Sequence, residues 1–145
     1  MKKLLLCLGM SALLFTGCSD DDDNGLNVNA NDLMKKWYQV SYVVGGETFP
    51  YDDHEACGLD YIEFLPNGIM NEVDVWDCTT YTDTYGWSLS GDRLTLIYDV
   101  DDRETVTITK ITDTELHVKV KYDFDDDGDE ETITQKLTSV PLENI

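Results

Sequence analysis

The residues best placed for chemistry in this chain are carboxylates. In Asp123-Phe124-Asp125-Asp126-Asp127-Gly128-Asp129-Glu130-Glu131, acids stand at alternating positions 123, 125 and 127, a glycine supplies a sharp bend, and Asp129 and Glu131 extend the series. Hard oxygen ligands at this spacing converge on Ca²⁺ in calcium loops. Thr134 stands where an EF-hand carries its bidentate glutamate and the flanks read as strands, so Glu131 or a backbone carbonyl would have to complete the set. A solvated acidic hairpin loop is the plainer reading. Asp99-Val100-Asp101-Asp102 forms a second acidic loop. Asp52-Asp53-His54-Glu55 brings three carboxylates and an imidazole together, ligand types suited to a transition metal. Adjacent residues seldom all turn toward one ion, and a polar loop accounts for them. His117, between Leu116 and Val118, reads as an exposed sheet residue. No cofactor is expected beyond the calcium option.

Catalysis finds little support. There is no glycine-flanked nucleophile and no phosphate-binding glycine loop, and two histidines among scattered acids do not make a constellation. The chain reads as a binding protein, not an enzyme. Trp76, Tyr81, Tyr85 and Trp87 cluster along the chain and offer a platform for sugar rings, although cross-strand packing explains aromatics on a sheet at least as well. The formal net charge of −20 over 145 residues argues against nucleic acid and against flat contact with anionic lipid. Basic proteins, cations and neutral sugars or lipids remain as partners.

The elements that must position these residues are strands. Apolar alternation and punctuation predict eight, over Trp37 to Val44, Asp60 to Leu65, Ile69 to Val75, Thr82 to Leu89, Arg93 to Tyr98, Glu104 to Ile111, Glu115 to Tyr122 and Glu131 to Leu137. One helical turn is expected at Asp32 to Lys36. Ile62, Phe64, Ile69, Val73, Val75, Leu94, Leu96, Val106, Ile108, Leu116, Val118 and Val120 are expected on one face. Pro66-Asn67-Gly68, Ser90-Gly91-Asp92 and Thr112-Asp113-Thr114 read as tight turns joining antiparallel neighbours. Consecutive hairpins make a meander, and an eight-stranded meander loses its edges by closing into an up-and-down barrel. The same periodicity permits an open meander or a β-sandwich.

Upstream of these strands, Lys2-Lys3, an apolar run from Leu4 to Phe15 and the small residues Thr16-Gly17 precede Cys18 and the acidic tract Asp20 to Asp23. The order of basic, apolar and small segments fits a secretory signal peptide over 1–17, and Leu14 to Cys18 resembles the lipobox of bacterial lipoproteins. That resemblance implies that Cys18 becomes the first residue and carries diacylglycerol, with an acyl chain such as palmitate on its amine. Residues 18–31 then read as a solvated acidic tether, 32–138 as the barrel and 139–145 as a tail. The acidic run beside the cysteine is similar to the export signal of Bacteroidetes surface lipoproteins, which implies an outer-membrane lipid anchor facing the cell exterior. With Cys7 lost and Cys18 acylated, Cys57 and Cys78 remain. In an exported chain they are expected to form a disulfide, since no further cysteine or suitably spaced histidine completes a zinc site.

Leu33-Met34-Lys35-Lys36-Trp37, Asp60-Tyr61-Ile62-Glu63-Phe64 with Pro66-Asn67-Gly68, Asp77-Cys78 and Gly86-Trp87-Ser88-Leu89-Ser90-Gly91-Asp92-Arg93-Leu94 resemble the lipocalin-like domains of Bacteroidetes lipoproteins. The resemblance implies that Trp37 closes one barrel end, as a first-strand tryptophan does in lipocalins. Lys35 stands where that family has a glycine, and no late arginine follows the last strand to pack over the tryptophan. Three functions follow as expectations. The first is a small apolar or amphipathic ligand held inside the barrel, from which an unobstructed cavity under a few hundred Å³ would remove support. The second is an interaction or inhibitor lipoprotein that meets a basic protein through its acidic outer surface. The third is a glycan- or calcium-linked accessory lipoprotein.

Overall fold

A computed structural model of the protein describes residues 25–123 and 127–142. A single helical turn α1 (Ala30–Leu33) precedes β1 (Lys36–Val44), β2 (Glu47–Pro50), β3 (Tyr61–Leu65), β4 (Ile69–Trp76), β5 (Thr79–Ser90), β6 (Arg93–Ile97), β7 (Arg103–Ile111), β8 (Glu115–Tyr122) and β9 (Glu131–Thr138). All pairings are antiparallel between neighbours, and β9 returns to β1 from Tyr38↔Thr138 to Val44↔Ile133. Eight strands therefore close an up-and-down barrel, and neither the open meander nor the sandwich is formed. The short β2 is an addition that shares an edge of β1 with β3: β3 pairs with Lys36 to Tyr38, and β2 takes over from Ser41 to Val44.

Turn chemistry sets the two ends of the barrel. At the closed end, Asn67 and Gly68 (φ 65° and 72°) reverse β3 into β4, and Gly91 (φ 63°) turns β5 into β6. Both positions fall where the sequence places turns. Gly68 also lies so close to the Trp87 carbonyl that an added Cβ would come within 2.8 Å of it. The helical turn sits here, at Ala30 and not Asp32, with Asn29 capping it by accepting from the Asn31 N–H at 2.9 Å. Val28 is buried in the core, so packing begins ahead of that turn. Trp37 is fully buried beneath it and donates its Nε1–H to the Leu33 carbonyl at 2.9 Å. The Lys35 ammonium lies 5.3 Å from the Trp37 ring centroid, placing a cation on the ring from the position that the lipocalin resemblance gives to a glycine.

The core fills this closed half with Trp37, Phe64, Met70, Trp87, Leu94, Ile108, Leu116 and Leu137. Phe64 and Trp87 meet edge to face at 5.4 Å, and the Trp87 Nε1–H is shared between the Leu65 and Ile69 carbonyls. On β4 the expected face is corrected. Met70 points inward at 1% exposure and Ile69 is 41% exposed, so Val73 and Val75, odd-numbered like Ile69, lie on the outer face. They are nevertheless buried, because the segment between β2 and β3 folds over them; a Cβ on Gly58 would meet Val75 Cγ2 at 3.0 Å.

Candidate functional site

At the opposite end, β4 and β5 run on past the last residue of β6. They pair from Ile69↔Gly86 up to Trp76↔Thr79, whereas β6 joins β5 only from Gly86 onward. The upper part of this hairpin is thus a flap with one paired edge. Alternation gives its inner face, in ascending pairs, Met70 and Tyr85, Glu72 and Asp83, Asp74 and Tyr81, then Trp76 and Thr79. Trp76 and Tyr81 are 70% and 52% exposed on that face, while Tyr85 packs against Tyr98 at 5.0 Å and Trp87 belongs to the core. The four aromatics that neighbour one another in sequence therefore divide, two into packing and two onto the flap.

The flap is braced from outside. Cys57 and Cys78 are joined by the expected disulfide, with Cα atoms 5.7 Å apart. Glu55 accepts from the N–H groups of Asp77 (2.6 Å) and Cys78 (2.8 Å), the two central residues of the hairpin turn, which take φ of 51° and 57°. A carboxylate and a covalent link thus hold a left-handed turn that Asn-Gly usually makes. Asp60 Oδ1 accepts from the Val75 N–H at 2.8 Å, and Oδ2 accepts from the Tyr51 hydroxyl at 2.6 Å. His54 is buried. Its Nε2–H donates to the Gln39 carbonyl at 2.8 Å, and its Nδ1 accepts from the Asp60 N–H at 3.0 Å. Both ring nitrogens are therefore committed to backbone in the gap where β1 and β3 part. Asp52 and Asp53 are exposed, so this quartet does not converge on an ion and serves as a structural wedge.

Inside the barrel, above the packed core, lies a cavity of about 150 Å³ walled by Ile62, Phe64, Leu94, Leu96, Val106 and Val118. Its upper rim is polar: Gln39, Glu72, Tyr98, Glu104 and Gln135. The amide of Gln135 donates to Gln39, and the Tyr98 hydroxyl donates to Glu104 at 3.5 Å. The cavity shares Gln39, Ile62 and Glu72 with a recess of about 260 Å³ below the flap. It shares Glu104, Val120 and Gln135 with another of about 330 Å³ beside Tyr42 and Tyr122. Burial, followed by the charges of Asp83 and Asp74, pushes the Glu72 carboxyl above its ordinary value. The Asp74 carboxyl is raised by desolvation and then by Asp60. The Tyr98 hydroxyl is raised as well, by burial first and then by Glu104 and Glu72.

Both acidic loops, Asp99 to Asp102 and Asp123 to Glu131, connect strands at this same open end. In the second, Asp123 accepts from the Asp127 and Gly128 N–H groups at 3.1 and 3.0 Å, and Asp127 accepts from the Asp129 N–H at 2.8 Å. These carboxylates satisfy the loop's own donors; Asp129 is exposed, Glu131 opens β9, and Asp125 lies outside the described residues. Cys18 and the rest of residues 1–24 lie outside them too. His117 is partly covered and not exposed as expected, with its Nε2 3.9 Å from a Glu115 carboxylate oxygen; burial lowers its pKa. The rim itself was hidden in sequence, because assigning Ile69, Val73 and Val75 to the inner face turns Glu72 outward. The inward register of Met70 is the signal that recovers it.

No curated protein matches this chain. Among solved structures, an uncharacterized protein from Bacteroides eggerthii superposes with a TM-score of 0.54 at 9% identity, over 74% of this chain and 99% of that one. Lobster apocrustacyanin A1 gives a TM-score of 0.52 at 16% identity, over 77% of this chain and 63% of its own length. At such identities these likenesses concern the fold alone. Residues 33–118 match the family model of the Lipocalin-like domain, from the helical turn that covers Trp37 to the middle of β8, and the chain belongs to that family.

Proposed function

We propose that this protein is a lipid-anchored barrel, displayed on the outer membrane of a Bacteroidetes-type cell, that binds a small ligand without altering it. The observation that carries the binding part is the apolar cavity bordered by a polar rim. Its 150 Å³ falls below the roughly 300–1,000 Å³ of pockets that enclose a whole ligand. A carrier that swallows its cargo is therefore poorly supported, and the function narrows to a ligand whose apolar part enters the chamber while its polar part rests in the wider recesses of about 260 and 330 Å³. Support for the anchor comes from the lipobox-like Leu14 to Cys18 and the acidic residues after it.

The binding test is titration with a neutral naphthalene fluorophore whose emission rises in apolar surroundings. Saturable enhancement in the wild type, lost when Val118→Trp fills the chamber without unfolding the barrel, is the expected result. Equal enhancement in both proteins would place the dye elsewhere and remove the cavity from consideration. For the anchor, metabolic labelling with an alkynyl fatty acid should mark the wild type and not Cys18→Ser.

A further inference from the structure

We propose that the ligand is an amphipathic organic cation, its ammonium head at Glu72 and Glu104 and its short apolar body in the chamber beneath. This rests on the cavity reading above and adds the charge class of the ligand. Carboxylates on an open rim would by themselves be a solvated surface. Here they border an apolar chamber that ends at them, so a molecule entering the chamber must bring its outer end to the carboxylates. No lysine or arginine lines the chamber or the recesses under the flap and beside Tyr42; Arg93, Lys119 and Lys121 line a further groove that meets the chamber at Glu104 and Val120, and alternation with Leu94, Val118 and Val120 puts them on the outer face of their strands. Asp74 and Asp83 add negative charge on the flap side, and Asp99, Asp101 and Asp102, between β6 and β7, stand at the same end. An anionic head would meet like charge at Glu72 and Glu104 and, on the flap side, at Asp74 and Asp83, and a neutral one would leave that charge uncompensated.

The Glu72 and Asp74 carboxyls are raised by desolvation first and by neighbouring acids second, and the second cause, mutual repulsion, is what a bound cation relieves. Trp76 and Tyr81, exposed on the same face of the flap, present ring faces of the kind that attract ammonium groups. Ionic hydrogen bonds at a partly desolvated carboxylate are worth enough to separate an amine from its neutral isostere by about tenfold.

The test displaces the neutral fluorophore from the full-length protein with three probes of matched chain, n-octylamine, n-octanol and n-octanoate, at neutral pH and low salt. The amine should displace at about tenfold lower concentration than the alcohol, the carboxylate should be weaker than both, and the amine's advantage should shrink as salt rises. Combining Glu72→Gln with Glu104→Gln should bring the amine-to-alcohol ratio close to one. Glu115→Gln, which removes an acid at the closed end, should leave the ratio intact. Equal displacement by amine and alcohol, or a ratio unmoved by the double variant, overturns the cation while leaving the cavity standing. Failure of the fluorophore itself to bind overturns both.

Discussion

Replacing His54 by leucine tests how the seam between β1 and β3 is sealed. The two strands pair only at Lys36 to Tyr38, and beyond that point the imidazole takes the place of a ladder, bonded to Gln39 on one side and Asp60 on the other. Leucine fills a similar volume and offers neither bond, so a carbonyl and an N–H are left unpaired in a buried position. Each such group costs about 1–3 kcal/mol, giving about 2–6 kcal/mol for the pair. A domain of this size holds about 5–15 kcal/mol in total. Urea unfolding followed by tryptophan fluorescence should therefore show a much lower midpoint with an unchanged slope. Amide exchange should quicken first at Asp60 and Val75. A loss below about 1 kcal/mol, with exchange at those amides unaltered, would refute the wedge and leave the ring as mere filling.

Other outcomes follow from the same bracing. Reducing the Cys57–Cys78 bridge, or replacing both cysteines by alanine, should cost about 3 kcal/mol on a chain-entropy estimate for a loop of sequence separation 21, read as a shift in urea midpoint. Glu55→Ala should cost about 1–3 kcal/mol and release exchange at Asp77 and Cys78 without melting β7 to β9. Glu72 and Asp74 hold more protons folded than unfolded, so the stability tied to them is greatest at low pH and falls as pH rises from the ordinary carboxylate range through their raised values. Glu72→Gln should accordingly raise the midpoint at pH 7, by under about 1 kcal/mol because the group is only partly desolvated and remains in contact with solvent, and change nothing at pH 3. Chelation with EGTA should leave the thermal midpoint where it was, since Asp123 and Asp127 already serve their own loop's N–H groups.

The barrel was legible because its evidence is local and repeated. Alternation at Leu94 and Leu96, Val106 and Ile108, and Leu116 and Val118, joined by turns rich in Gly, Asn and Asp, permits few closures. Sequence alone predicts β5 too short, from Thr82, and misses the flap with it, because Asp77-Cys78 lacks the glycine of the usual two-residue turn and the Thr-rich stretch beyond it has little apolar alternation. Its turn is held by a carboxylate 22 positions upstream of Asp77, which no local pattern reports. The small β2 was overlooked although Gly45-Gly46, with φ of 58° and 89°, is a recognised two-residue hairpin signal between Val43-Val44 and Glu47-Thr48. The rim escaped for a different reason. One wrong choice of parity on β4 moves every side chain of that strand to the other surface, and Val73 and Val75 invited it by being buried from outside.

The flap divides two duties between the faces of the same pair of strands. What fixes it in place lies behind it, in Val75 against Gly58, in Asp60 on the Val75 N–H, and in the bridge at its turn. What would meet a ligand stands in front, at Glu72, Asp74, Tyr81 and Asp83. Substitutions in front can therefore accumulate without loosening what stands behind, so diverging descendants of this barrel are free to exchange one cargo for another at little structural risk. Changes at Gly58, Asp60 or either cysteine carry no such freedom, and lineages that alter them should lose the flap before they lose the barrel.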